Sequence, residues 1–66
     1  MLLLSIIIPV YNVEAYIGKL LQSIFSQDTE RVEIIVVNDG TPDDSMNVVQ
    51  GFVSVHANLH IVNQPN

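Results

Sequence analysis

Polar residues that could bind a ligand follow two apolar runs of this chain. Tyr11 and Asn12 come directly after the run Ile6–Val10, and Asp39 comes shortly after the run Ile34–Val37. An aromatic ring offers a flat apolar contact, an amide both donates and accepts hydrogen bonds, and a carboxylate accepts them. Uracil presents N3–H as a donor, and guanine presents N1–H and an amino group. These residue types are therefore suited to contact a nucleotide base.

Each of these residues also has a structural explanation. Tyr11 could be an aromatic residue of the core, and Asn12 is a good N-cap for a following helix. Asp39 precedes Gly40, whose backbone freedom permits a tight turn, and an aspartate there can cap its own loop. For Tyr11 and Asn12, a role in base binding and a purely structural role are about equally supported. Asp39 is the stronger candidate for binding.

The other polar residues favour structure over chemistry. Asp43 and Asp44 are predicted in the first turn of a helix, where the helix dipole stabilises acids, so we reject a metal site there. The same argument covers Glu14, which could still reach the rim of a nucleotide. His56 and His60 lack Cys or acidic partners at metal-ligand spacing. We therefore predict no metal site in this chain.

Three strands and two helices must position these residues. The apolar, β-branched stretch 3–8 predicts a parallel strand, ended by Pro9, which has no N–H to give to a neighbour. Apolar residues recur at helical spacing over about 13–26. A second strand is predicted over 32–38 and a third over Leu59–Asn63. The alternation of strands and helices indicates an α/β fold.

The second helix has a recognisable start in the sequence. Thr41 is predicted as its N-cap, Pro42 as its first residue and Asp44 as its third, which resembles a capping box with a proline at N1. Asn58 is predicted to end this helix. Two right-handed crossovers that advance in one direction would place both helices on one face of the sheet. The other face would then be exposed, and we expect self-association through it.

Composition excludes several classes of protein. Apolar residues form 48% and charged residues 14% of the chain, which argues against disorder. The net charge is −5 with Lys19 and Arg31 as the only cations, so no basic patch for nucleic acid is available. Cysteine is absent, which excludes disulfides. The stretch Met1–Ile8 lacks a basic leader and a cleavage site, so a cytoplasmic start is the simpler interpretation.

Three segments of the chain match one known family in order and spacing. They are Ser5-Ile6-Ile7-Ile8-Pro9-Val10-Tyr11-Asn12, Leu21-Gln22-Ser23-Ile24-Phe25-Ser26-Gln27, and Glu33-Ile34-Ile35-Val36-Val37-Asn38-Asp39-Gly40 with Thr41-Pro42-Asp43-Asp44-Ser45. The chain resembles the start of family 2 glycosyltransferases, with Thr41 where that family usually has serine. The likeness covers the whole chain, which makes it more specific than any single motif.

This resemblance implies a fold, a site and an activity. The fold is a Rossmann-like βαβαβ unit, the N-terminal half of the GT-A fold, with residues 1–66 as a partial domain. The activity is transfer of a sugar from a UDP-, GDP- or dTDP-sugar to a polysaccharide, glycolipid or cell-surface glycan, as in cell-wall biosynthesis. The residues that match the family's nucleotide site are Pro9, Val10, Tyr11, Asn12, Glu14, Asp39 and Gly40.

The resemblance also implies parts that lie beyond Asn66. These are the D-x-D acids that hold Mg²⁺ or Mn²⁺ with the diphosphate, a G-x-x-x-A-R-N segment, and the catalytic base. Stabilisation of the leaving diphosphate needs the metal, so we expect this chain to be inactive alone. A cytoplasmic parent protein is expected, with attachment to the inner face of the membrane as one alternative.

Other α/β domains fit the sequence less well. A dinucleotide-binding domain also ends its second strand in an acid, but the loop Pro9–Asn12 has no G-x-G-x-x-G. A phospho-receiver-like domain needs acids at the end of its first strand, and this loop supplies none. A non-catalytic binding or assembly module built on the βαβαβ unit stays as the alternative, and affinity for uridine or guanosine nucleotides would distinguish the two.

Overall fold

The computed structural model describes residues 4–65 of the chain. The elements in order are β1 (Leu4–Val10), α1 (Glu14–Phe25), β2 (Val32–Asn38), α2 (Ser45–Val53) and β3 (Leu59–Asn63). The strands form one parallel sheet in the order β1-β2-β3. The predicted Rossmann-like βαβαβ fold is therefore confirmed. Within the described residues, no helix has both the length and the apolar character needed to cross a membrane.

Both helices lie on one face of the sheet. Side chains alternate between the two faces of a strand, and in each strand one alternate set is buried beneath the helices. Among the described residues, the buried apolar core consists of Ile8, Val10, Ile17, Leu21, Ile34, Val36, Val49 and Leu59. Burial of each such side chain stabilises the fold by about 1.5–3 kcal/mol. This single core holds the strands in register and so fixes the sheet edge at which the candidate residues lie.

The opposite face of the sheet is exposed, as the crossover argument predicted. Ile7 on β1 is 65% exposed and Val62 on β3 is 48% exposed, while Ile35 and Val37 on β2 are half-buried. Residues paired with them in register have their side chains on the same face, because side chains of paired residues in adjacent strands lie on one side of the sheet. An apolar surface therefore runs across all three strands.

The first strand continues past Pro9, contrary to the sequence prediction. Pro9 is paired in register with Val37, and β1 ends only at Val10. The carbonyl oxygen of Val10 accepts a hydrogen bond from the Asp39 N–H at 3.2 Å, so Val10 faces β2. The backbone of Pro9 then faces the free edge of the sheet. A proline is tolerated there because its missing N–H has no strand to pair with.

The predicted N-caps were wrong for both helices. The cap position of α1 is Val13 rather than Asn12, and that of α2 is Asp44 rather than Thr41; neither makes a side-chain cap bond. Asn12 instead adopts a left-handed backbone with φ of 55°. Because α2 begins at Ser45, Pro42 and Asp44 do not form its first turn. The Thr41 hydroxyl instead accepts a hydrogen bond from the Asn12 N–H and donates one to Asp43 Oδ1. These two bonds outweigh the local capping preference.

The end of the second helix also differs from the prediction. Helix α2 ends at Val53, five residues before Asn58. The Asn58 side chain donates to the carbonyl oxygens of Thr29 at 3.0 Å and of Val32 at 2.9 Å. Asn58 therefore joins the segment before β3 to the start of β2.

Candidate functional site

The candidate residues lie at the carboxyl edge of the sheet, where the loop 11–13 after β1 meets the loop 39–44 after β2. The register pairs Val10 with Asn38, so the two loops leave the sheet side by side. The Asn12 N–H donates to Thr41 Oγ1 at 2.9 Å, a contact between residues 29 positions apart. This is the edge at which open α/β sheets bind their ligands.

The residues of the first loop differ in how much they can offer a ligand. The Tyr11 side chain is 45% exposed, so it is not a core aromatic residue. Asn12 is also exposed, and its φ of 55° is a conformation that asparagine tolerates better than most residues. Pro9 lies exposed at the free edge, whereas the Val10 side chain is fully buried in the core. Val10 can therefore support the loop, but its side chain cannot contact a ligand.

The Asp39 carboxylate lies at the same edge and is half-buried. Its Oδ1 accepts a hydrogen bond from Gln64 Nε2 at 3.3 Å. A carboxylate has about four lone-pair sites, so acceptor capacity remains for further donors. Gly40 has a φ of 72°, which is the left-handed region that glycine adopts without strain. Asp39 is thus held at a turn and keeps free acceptor positions.

Side chains from β2 and β3 order this edge further. Asn38 Nδ2 donates to Asn63 Oδ1 at 2.9 Å, and Asn38 Oδ1 accepts from the Thr41 N–H at 3.1 Å. The Gln64 N–H donates to the Asn38 carbonyl oxygen at 2.9 Å. Sequence reasoning did not single out Asn38, Asn63 or Gln64 as candidate residues. The predicted third strand could have indicated Asn63 and Gln64, since parallel pairing places the end of this strand beside the end of the second strand.

Asp43 and Glu14 connect the two loops. The Glu14 N–H donates to Asp43 Oδ2 at 3.0 Å, and Glu14 Oε1 accepts from the Asp44 N–H at 3.0 Å. Asp43 Oδ1 also accepts from Thr41 Oγ1 at 2.7 Å and from the Ser45 N–H at 3.0 Å. Sequence reasoning placed Asp43 and Glu14 in helical first turns for dipole reasons alone and missed this connection.

The surroundings of Asp43 favour its ionised form. Its pKa is held well below its ordinary value of 3.8 by the neighbouring Ser45 side chain, the Thr41 hydroxyl and the N–H groups of Ser45 and Glu14, against an opposing effect of burial. Ser45 Oγ is buried and makes no hydrogen bond of good geometry with another described residue. We therefore attribute the low pKa mainly to the three well-formed bonds from Thr41, Ser45 and Glu14.

The described part of the chain contains no metal-binding cluster. Within residues 4–65, no three His, Asp or Glu side chains come together in a way that could hold a metal ion. Two surface cavities of about 200 and 150 Å³ lie beside Val32, at the opposite end of the sheet. Both are smaller than the roughly 300 Å³ at which typical ligand pockets begin. Neither of these two cavities lies at the carboxyl edge of the sheet.

Comparison with known proteins identifies relatives that share nearly the whole chain. The family described as Glycosyl transferase family 2 matches residues 5–66. The uncharacterized glycosyltransferase EpsJ of Bacillus subtilis is 41% identical over 97% of this chain and 19% of its own length. Glycosyltransferase GlyA of Streptococcus pneumoniae is 40% identical over 96% of this chain and 9% of its own length. The chain thus spans about a fifth or less of these relatives.

A solved structure agrees with the sequence relatives. The mannosyltransferase PcManGT from Pyrobaculum calidifontis, in complex with GDP-Man and Mn²⁺, superposes with a TM-score of 0.76 at 25% identity. The match covers 96% of this chain and 19% of that one. The fold of this chain therefore occurs within the larger chain of that GDP-Man complex. From the family match and these relatives, the chain belongs to glycosyltransferase family 2.

Proposed function

We propose that this chain forms the nucleotide-binding part of an enzyme that transfers a sugar from a UDP-, GDP- or dTDP-sugar to a glycan or lipid-linked acceptor. The chain belongs to a family of glycosyltransferases, and a structural neighbour holds GDP-Man and Mn²⁺. The chain spans about a fifth of that neighbour. We therefore propose, rather than transfer from the neighbour, the sugar donor, the class of acceptor and a role in polysaccharide or cell-wall biosynthesis.

One observation carries the proposal: the two loops present an exposed aromatic ring and a carboxylate with free acceptor positions at one sheet edge. In this proposal Tyr11 supplies a flat contact for the base, and Asp39 accepts hydrogen bonds from its N–H groups. Gly40 and Pro9 permit close approach of the backbone, and Asn12 borders the same surface. Tyr11 is 45% exposed and Asp39 is half-buried, so both remain accessible.

Two of the proposed site residues act in a more limited way. The Val10 side chain is fully buried, so Val10 contributes only by holding the start of the loop. Glu14 has Oε1 engaged by the Asp44 N–H, which leaves its second oxygen for the rim of the nucleotide. We place both at the margin of the site, with Asp39 at its centre.

The metal and the catalytic base are proposed to lie outside this segment. Mg²⁺ or Mn²⁺ would stabilise the charge that develops on the leaving diphosphate, and no metal-binding cluster is found within residues 4–65. We therefore propose that residues 1–66 are a partial domain without transferase activity of its own. The proposed location is the cytoplasm, or the inner face of the membrane for a longer protein.

The proposal is tested by titrating the ¹⁵N-labelled chain with UDP, GDP and dTDP in an NMR experiment, with CDP as a comparison nucleotide. Selective shifts of the Tyr11, Asn12, Asp39 and Gly40 amide signals are expected. Asp39→Asn replaces one acceptor oxygen by a donor, so the affinity should fall by about 10–100-fold. Asp28→Asn is the matched control, because within residues 4–65 the Asp28 side chain bonds only the nearby Glu30 N–H, at the other end of the sheet.

An assembly role is the second candidate, and the exposed sheet face favours it. Ile7 and Val62 lie on an apolar surface that is open in the single chain, and such surfaces commonly mark interfaces. Sedimentation velocity would show concentration-dependent dimers or larger oligomers. Oligomers without any nucleotide-induced shift would replace the enzymatic proposal by the assembly one. Selective nucleotide binding at Asp39 would support the enzymatic proposal, whatever the oligomeric state.

A further inference from the structure

We propose that Asp43 is a positioning residue that holds the two carboxyl-edge loops together, so that Tyr11 and Asp39 face the same ligand. This inference rests on the proposed function, which it deepens by naming a residue that acts without touching the nucleotide. The contacts involved are called the loop clamp below: the side chains of Asp43 and Thr41, and the N–H groups of Asn12 and Glu14.

The loop clamp joins residues that are far apart in sequence. Asp43 Oδ2 accepts from the Glu14 N–H at 3.0 Å, and Asp43 Oδ1 accepts from Thr41 Oγ1 at 2.7 Å. Thr41 Oγ1 in turn accepts from the Asn12 N–H at 2.9 Å. Asn12 in the first loop and Glu14 at the start of α1 are thus both bonded to side chains of the second loop.

The second loop is itself fixed to the sheet. The Thr41 N–H donates to Asn38 Oδ1 at 3.1 Å, at the last residue of β2. The Ser45 N–H donates to Asp43 Oδ1 at 3.0 Å, at the first residue of α2. The loop that carries Asp43 is therefore fixed to both β2 and α2. For this reason the bonds of this loop to the first loop can restrain the first loop.

A carboxylate is the group that these contacts require. Thr41 donates its hydroxyl hydrogen, and Ser45 and Glu14 donate N–H groups, so every partner of Asp43 is a donor. Asparagine has nearly the same shape, but one of its two terminal atoms is a donor. In Asp43→Asn, the side-chain NH₂ group would therefore face one of these donating groups. The hydrogen bonds to an ionised acceptor are also the stronger kind.

Loss of the loop clamp would disorder the first loop at the residue next to the proposed base contact. Asn12 adopts its φ of 55° with its N–H bonded to Thr41, and Tyr11 precedes it directly. A loop that must be ordered during binding lowers affinity, because the entropy of ordering is then lost at that step. Asp43→Asn should therefore weaken nucleotide binding although Asp43 makes no base contact.

The first measurement is amide hydrogen exchange in the absence of nucleotide. In Asp43→Asn the Asn12 and Glu14 amides should exchange about tenfold faster, as expected for the loss of one charge-assisted bond. The Ile34 and Val36 amides of the central strand should stay protected and be accelerated less than the loop amides, which shows that the fold persists. Asp28→Asn is the control and should change neither pair. Unchanged exchange at Asn12 and Glu14 in Asp43→Asn would overturn the proposal.

Thr41→Val provides a second variant in case Asp43→Asn does not fold. It removes the hydroxyl and leaves the bonds from Ser45 and Glu14 to Asp43 in place. The Asn12 amide should then lose protection while the Glu14 amide keeps it. Equal protection of Asn12 in this variant and in wild type would contradict the proposal.

Nucleotide titration of the same variants separates this inference from the proposed function. Where wild type binds, Asp43→Asn should raise the Kd about tenfold, and Asp28→Asn should leave it within about twofold. Faster loop exchange in Asp43→Asn with no binding by wild type would retain the loop clamp and reject the nucleotide site. Binding by wild type that Asp43→Asn does not weaken would reject the positioning role alone.

Discussion

The two ends of the sheet are held together in different ways. At the carboxyl end, the loop after β1 and the start of α1 are joined to the loop after β2 by hydrogen bonds from the Asn12 N–H to Thr41 Oγ1 and from the Glu14 N–H to Asp43 Oδ2. At the amino end, Phe25 stacks on His56 with ring centroids 3.7 Å apart, and Phe52 lies 6.2 Å from both rings. The first end therefore relies on directed polar bonds, whereas the second combines the packed rings with the hydrogen bonds of the Asn58 side chain.

This difference separates stability from recognition. Apolar packing is largely non-directional and grows with buried area, so it can close one end of the fold without specifying a ligand. Hydrogen bonds fix donors and acceptors in space, which a site for a polar ligand requires. We therefore expect substitutions at the amino end to change mainly the free energy of unfolding. Substitutions at the carboxyl end should change mainly the local order of the loops and the affinity for nucleotide.

The largest expected effect is on stability at the amino end. Phe52→Ala removes a ring that packs against the core and against both stacked neighbours. Because Phe52 is only half-buried, the unfolding free energy should fall by about 2–3 kcal/mol, below the range for a fully buried phenylalanine. Urea denaturation followed by circular dichroism measures the change.

The control for this prediction is Tyr16→Ala, because Tyr16 is 71% exposed. It should change stability by about 0.5 kcal/mol or less. Equal losses in the two variants would mean that the aromatic stack does not stabilise the amino end. Phe52→Ala should leave the affinity of the folded protein for nucleotide unchanged, and a weakened affinity would break the proposed separation of the two ends.

An intermediate effect is expected from the backbone of the first loop. Asn12 has a φ of 55°, and the left-handed region costs most residues about 1–2 kcal/mol, with asparagine and glycine as the main exceptions. Asn12→Ala should lower the unfolding free energy by about 1 kcal/mol, and Asn12→Gly should remain close to wild type. The same urea experiment measures both variants. Equal stabilities of the two variants would show that this loop relaxes to another conformation.

The smallest expected effect is a pH dependence near the loop clamp. The folded pKa of Asp43 is lowered from 3.8, so the unfolded state takes up a proton first as the pH falls. The stability that Asp43 contributes is therefore complete at neutral pH and is lost progressively below about pH 4. The Glu14 carboxylate lies beside the loop clamp and accepts a hydrogen bond from the Asp44 N–H, and within residues 4–65 no cation forms an ion pair with Asp43.

Urea unfolding of wild type and Asp43→Asn from pH 7 to pH 3 checks this sign. The stability difference between the two proteins should be constant from pH 7 to about pH 5 and should narrow as the pH falls further. A difference that widens in acid, or that keeps one value throughout, would contradict the assignment of the low pKa to Asp43.

The type and order of the five elements, and the edge at which the candidate residues lie, could be predicted from the amino-acid sequence. The predicted strands 32–38 and Leu59–Asn63 match the structure, and α1 differs by one residue at each end. These features follow from the spacing of apolar residues and from the number of β-branched residues in each segment, which are local properties of the sequence. Placement of Tyr11 and Asp39 at one edge also followed, because the ends of adjacent parallel strands meet there.

The contacts between polar side chains could not be predicted from the sequence and depend on the tertiary structure. Thr41 and Asp43 bond residues 29 positions away, Gln64 reaches Asp39 over 25 positions, and Asn58 reaches Thr29 over 29 positions. A capping preference is worth about 1 kcal/mol, which one well-placed tertiary hydrogen bond can match. The choice between them depends on the sheet register that brings distant loops together, and that register is set by the whole core rather than by the residues near a helix end.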